Sequence, residues 1–123
     1  MSADPRPPIR RLKTYTSSQG YVYQYYFVGK RAAINSPDVA EYIFDVSSDR
    51  KITYSVSVFV SAEAVRQWAA AHGRSLTEAE QYGAVKSRLL RGFDEIENVM
   101  ENGRKLQLDA GALEELLSAL GVE

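Results

Sequence analysis

From Ile52 to Val60, apolar residues alternate with small hydroxyls. Ile52, Tyr54, Val56, Val58 and Val60 fall on one side of an extended chain, and Thr53, Ser55 and Ser57 on the other. A period of two with hydroxyls outside predicts a strand in a sheet that buries one face. Upstream, Tyr21-Val22-Tyr23-Gln24-Tyr25-Tyr26-Phe27-Val28 is aromatic or β-branched at nearly every position, which suits a pleated surface better than a helix. Gly29-Lys30 predicts a tight turn into a short second strand, Arg31 to Ile34. Asn35-Ser36-Pro37-Asp38 predicts a break, Ala40 to Val46 a third strand, and Ser47 to Lys51 a polar hairpin loop into the fourth.

After Val60 the period changes. Ser61 is placed to cap a helix carrying Ala62, Val65, Trp68 and Ala69, with Gly73 in the closing position. Thr77-Glu78-Ala79-Glu80 reads as a capping box. Beyond it Tyr82, Val85, Leu89, Phe93, Ile96 and Met100 recur at steps of three and four. That stripe predicts one amphipathic helix to about Glu101, ended by Asn102-Gly103. Asp109 begins a short last helix with Leu113, Leu116, Leu117 and Leu120 on one side. Strands first and helices after predict an α+β fold: an antiparallel β-meander of three to four strands (residues ~21–60) followed by two to three helices packed on one sheet face.

Length confines this to one domain. The 123 residues suit a single core, with residues 1–14 read as a disordered, basic, Pro-rich tail and 15–123 as the domain. Apolar residues at 45 % argue against global disorder. There is no cysteine, which removes disulfides, thiolate metal sites and cysteine nucleophiles. The N-terminus lacks the apolar stretch of a secretory signal, and no run approaches the length of a membrane span. The cytoplasm is therefore the expected compartment, and no membrane partner is expected.

Catalytic material is sparse. His72 is the only histidine, and its position before Gly73 suits a helix C-terminus. No Gly-x-Ser-x-Gly elbow, phosphate-binding glycine loop or Glu-x-x-His pair is present. Asp45 to Asp49 begins with the oxygen spacing of a calcium loop but lacks its glycine and terminal glutamate. No metal, cofactor or catalytic residue is expected.

Two function classes then compete. The favoured one is a small non-catalytic binding or interaction domain, self-associating as a homodimer through Leu113, Leu116, Leu117 and Leu120, or binding another protein. Charge is polarised along the chain, with eight Lys/Arg against five Asp/Glu in residues 1–60 and seven against eleven thereafter. Such asymmetry helps to orient a partner. The rival is a single-stranded nucleic-acid-binding module. Seven of the eight tyrosines lie in residues 15–54, and Tyr21, Tyr23 and Tyr25 would form a row for stacking bases beside Lys30 and Arg31 if that face is open. Four strands and a helix over residues 21–72, with Glu41-Tyr42-Ile43-Phe44-Asp45-Val46 as the nearest stretch, resemble a PUR-type repeat over less than half of the chain, which implies the same activity. A weaker third reading is a small-molecule-binding protein or enzyme with a pocket between sheet and long helix, marked by Tyr82 or His72 near a carboxylate or lined by Tyr42, Tyr54 and Tyr82.

Overall fold

The computed structural model describes residues 11–48 and 52–123. The elements run β1 (Lys13–Thr16), β2 (Val22–Ala33), β3 (Ser36–Ser48), β4 (Ile52–Ser61), α1 (Ala62–His72), α2 (Glu78–Glu95), α3 (Val99–Asn102), β5 (Lys105–Leu108) and α4 (Ala110–Ala119). They form one five-stranded sheet in the order β1-β2-β3-β4-β5. The first four strands are an antiparallel meander, and β5 lies parallel to β4. The fold is α+β, as the pattern predicts, with a mixed rather than purely antiparallel sheet.

The alternation in β4 sets the layers. Tyr54, Val56, Val58 and Val60 are buried, and through their register partners they share a face with Tyr42, Phe44 and Val46 of β3. Tyr23 and Tyr25 continue that face into β2, and Leu106 and Leu108 into β5. Helix α2 lies across it. Its buried Ala84, Val85, Leu89, Gly92 and Phe93 form the core-facing stripe, and each large apolar side chain removed from water contributes about 1.5–3 kcal/mol. Tyr82, near the start of α2, packs edge-on against Phe27 at 5.1 Å. Phe93, near its end, stacks on Tyr23 at 4.2 Å between ring centres.

Three boundaries differ from the sequence expectation. Gly29-Lys30 is not a turn. β2 runs unbroken to Ala33, and the ladder shifts register between Phe27/Gly29, leaving Val28 without an opposite number. A glycine inside a strand marks such a bulge as readily as a turn. The real turn is Ile34-Asn35, where Asn35 takes φ 64°, a conformation asparagine tolerates. Pro37 lies within β3 where no partner on β2 needs its missing N–H. The strands also start earlier than expected, because Lys13 and Thr14 of the supposed tail pair with Tyr25 and Gln24. The rest of the tail, residues 1–10, and the hairpin residues 49–51 lie outside the described residues.

The long helix is also shorter than its stripe. Ile96 leaves the helix with an extended backbone, Asn98 turns left-handed at φ 57°, and α3 restarts at Val99. A continuous helix would leave no chain to return to the sheet. The break lets Ile96 pack on Gly103, where a Cβ would stand 3.0 Å from its Cδ1, and brings Arg104 close enough for its carbonyl to accept from the Ser57 amide. β5 follows. Its Lys-Leu-Gln-Leu alternation is only four residues long, too short to predict a strand without the partner.

The helices are pinned to one another by side chains. Thr77 and Glu80 form the expected capping box, and Arg74 binds both Glu80 carboxylate oxygens at 2.9 and 2.8 Å. Arg74 also lies over the Trp68 ring, on which His72 stacks at 4.1 Å. His72 Nε2 in turn lies 2.8 Å from both Glu114 oxygens, joining α1 to α4. The Leu113, Leu116 and Leu117 side chains are buried within this same domain, and only Leu120, 51 % exposed, stays outside.

Two stability outcomes follow from this packing. Phe93→Ala removes the ring that contacts Tyr15, Tyr23 and Tyr25, and is expected to cost about 3–5 kcal/mol in urea denaturation. Arg74, then the Thr77 backbone amide, hold the Glu80 carboxyl down from its ordinary 4.5 to about 2. A lowered folded pKa gives stability that is present above pH 4.5 and lost as pH falls towards 2. Glu80→Gln is therefore expected to be less stable than the parent near neutrality, with the gap closing across that acid window in pH-dependent thermal melts.

Candidate functional site: a tyrosine-lined cleft at the end of the sheet

Strand and helix lengths do not match. β3 has 13 residues, about 43 Å at 3.3 Å per residue, whereas α2 has 18, about 27 Å at 1.5 Å per residue. The inner face of the sheet therefore projects beyond its cover at both ends, and a hollow forms at each.

At one end, the β2–β3 hairpin and α1 enclose a hollow of 590 Å³. Its cations are already engaged. Lys30 Nζ lies 3.4 Å from Glu78 and over the Tyr42 ring, whose hydroxyl accepts from Gln81. Arg31 Nε donates to Glu41 at 2.9 Å, and Ser57 Oγ donates to the other Glu41 oxygen at 2.6 Å. Arg31 first, then Ser57, hold the Glu41 carboxyl below its usual range. A phosphate at Lys30 or Arg31 would have to displace these carboxylates.

At the other end is a cleft of 380 Å³ lined by Tyr21, Tyr23, Ser48, Ile52, Tyr54, Glu97, Asn98, Val99 and Met100. Its floor is the inner sheet face. Tyr23, Ser48 and Ile52 are register partners across three strands, and Tyr54 comes from the next row in. Its roof is the α2–α3 segment, turned over the sheet end by the left-handed Asn98. Tyr54 Oη and Ser48 Oγ are 2.7 Å apart, and Asn102 Nδ2 donates to the Glu97 carbonyl. One wall is tied down by Asp94, which accepts from the Tyr15 hydroxyl at 2.7 Å and from the Ser18 amide at 2.8 Å. The hydrogen bond to that carboxylate, aided by burial, raises the Tyr15 pKa, so the phenol stays protonated as donor. Tyr23 and Tyr54 are buried in the floor, whereas Tyr21 and Ile52 at the rim are 53 % and 58 % exposed.

The residues singled out by sequence fall apart here. Tyr21 reaches the cleft rim, but Tyr23 and Tyr25 face the core under Phe93, so no outward tyrosine row forms. The reason is parity: the inner face of β3 and β4 dictates which β2 side chains point inward. Tyr42 and Tyr82 belong to the aromatic cluster around Phe27 and do not share the cleft with Tyr54. Asp45, at the start of the supposed calcium spacing, accepts from the Tyr26 hydroxyl on the outer sheet face. His72 lines neither hollow. Leu113, Leu116 and Leu117 are covered by the chain itself, and Leu120 is 51 % exposed. Ser48, Ile52, Glu97, Asn98 and Met100 carried no signal as a site, because the sequence stripe placed the last three in an unbroken helix.

Among the described residues, no group of three carboxylate or imidazole side chains is placed to hold a metal ion. No helix among them is long and apolar enough to cross a membrane. No family model, curated protein or solved structure matches this chain.

Proposed function

We propose that this chain is a small non-catalytic binding domain whose ligand lodges in the tyrosine-lined cleft between the sheet end and the α2–α3 turn. One observation carries the reading. The cleft joins buried Tyr23 and Tyr54 in its floor and buried Val99 in its roof to an apolar rim, Tyr21 and Ile52, left more than half exposed. Its volume of 380 Å³ lies within the range of about 300–1,000 Å³ of small-molecule sites. Apolar walls with a few polar groups, here Ser48, Asn98 and Glu97, are what such sites use to hold and orient a ligand.

Self-association and nucleic-acid binding are supported less. The leucine stripe proposed for a homodimer is spent within the domain, and single exposed apolar residues such as Leu120 and Ile34 are ordinary on a protein surface. The nucleic-acid reading rested on an outward tyrosine row, and two of its three rings are in the core.

The test is an NMR screen of the full chain against a panel of neutral and charged small organic compounds. Shifts are expected to concentrate on the Ile52 and Met100 methyls and the Tyr21 ring, and to be lost in Tyr21→Ala. Shifts confined to the hairpin hollow, or none across the panel, would overturn the proposal.

A further inference from the structure

The helices all serve one side of the sheet. Each adds buried residues to the core beneath the inner face: Trp68 from α1, Leu89 from α2, Val99 from α3 and Leu113 from α4. Among the described residues, no helix remains to cover the outer face. Register sets the middle of that face. Ile43, Ser57 and Lys105 form one row across β3, β4 and β5, and Glu41, Phe59 and Gln107 form the next. Phe59 stands about 23 Å along β4 from Ile52, at 3.3 Å per residue, and three strands in from β1.

The side chains there are prepared for burial. Covering a charge is costly unless its hydrogen-bond partners are already in place. Arg31 and Ser57 engage both Glu41 oxygens, and Glu41 and Ser57 are only 8 % and 9 % exposed with no helix over them. Phe59 is half-buried, and unlike Phe27, Phe44 and Phe93 it meets no other ring among the described residues. Two opposite charges keep open positions. Lys105 is exposed and forms no ion pair among the described residues, and Asp45 on β3 accepts from the Tyr26 hydroxyl through Oδ2 alone.

We infer that this outer face is a homodimer interface, closed by Phe59 at a two-fold axis along β4 and by reciprocal pairs between Lys105 and Asp45. Sheets pack face to face about 10 Å apart with their strands within about 30° of one another. An axis along β4 sets Phe59 against its counterpart and lays β5 of each copy over β3 of the other. Lys105 then falls over Ile43, one residue pair along the strand from Asp45, and Gln107 falls over Glu41. The contact is made twice, once in each direction, as an isologous interface requires. An axis along β3 would instead set Asp45 and Glu41 each against its own copy. The cleft opens on the inner face, so neither reading depends on the other.

The experiment is sedimentation velocity on the full chain from about 5 µM to about 500 µM, where a homodimer shows as a concentration-dependent rise in mass. The parent is expected to dimerise in that range. Lys105→Asp and Asp45→Lys each set like charges together at both pairs, and each is expected to weaken the dimer by about tenfold. Mixed in equal amounts, the two variants restore both pairs in a mixed dimer, expected within about threefold of the parent. Phe59→Glu sets two carboxylates at the axis and leaves Asp45 with Tyr26. It is expected to give monomer alone, and it decides the matter if Asp45→Lys does not fold. A parent that stays monomeric across the range overturns the inference. So does a dimer that neither Lys105→Asp nor Phe59→Glu weakens, or a mixture no tighter than its single variants.

Discussion

The burial of a single sheet face beneath α2 is the constraint on which the rest of this molecule depends. Once Val56 and Val58 must be dry, register carries that requirement to Phe44 and Val46 on β3 and on to Tyr25 and Tyr23 on β2. The aromatic content of β2 is thereby committed to packing. The opposite face sets hydroxyls and paired charges beside Ile43 and Phe59, with Tyr26 donating to Asp45, and Arg31 and Ser57 to Glu41.

The cleft follows from the same constraint met incompletely. Strands of ten to thirteen residues outrun the helix that covers them. An uncovered apolar sheet end is unfavourable in water, and α3 answers it by folding Val99 and Met100 back over the edge. The cover is partial, because the chain must then reach β5 through Gly103. What remains is a concavity with a packed floor and an open rim. Its walls are held from below by the Tyr23–Phe93 stack and from the side by the Asp94 hydrogen bonds.

Much of the architecture was legible in the residues. Both the period-two run of β4 and the Thr77–Glu80 capping box were local signals, and local physics honoured them. The Ser61 and Asp109 caps were equally readable, since each satisfies amides three residues on. What escaped prediction was decided at long range. Gly29 looks the same in a turn or a bulge until β3 is beside it. The stripe through Ile96 and Met100 is helical in period, yet the need to return a strand to β4 breaks it, with Asn98 rather than glycine or proline marking the place. β5 is too short to announce itself. The candidate site depends on one of these, because its roof is the broken helix, and its floor is decided by which way Tyr23 points. Tyr21 and Tyr54 were visible as aromatics of interest, but nothing local joined them.

The inward sheet face is tested most directly by the solvent accessibility of the eight tyrosine rings, read by NMR line broadening from a neutral paramagnetic gadolinium chelate. Strong broadening of Tyr21 and protection of Tyr23, Tyr25, Tyr42 and Tyr54 are expected. Broadening of Tyr23 and Tyr25 as strong as that of Tyr21 would put the aromatic row on the open face. That result would contradict the inward sheet face, the cleft floor and the reading built on them.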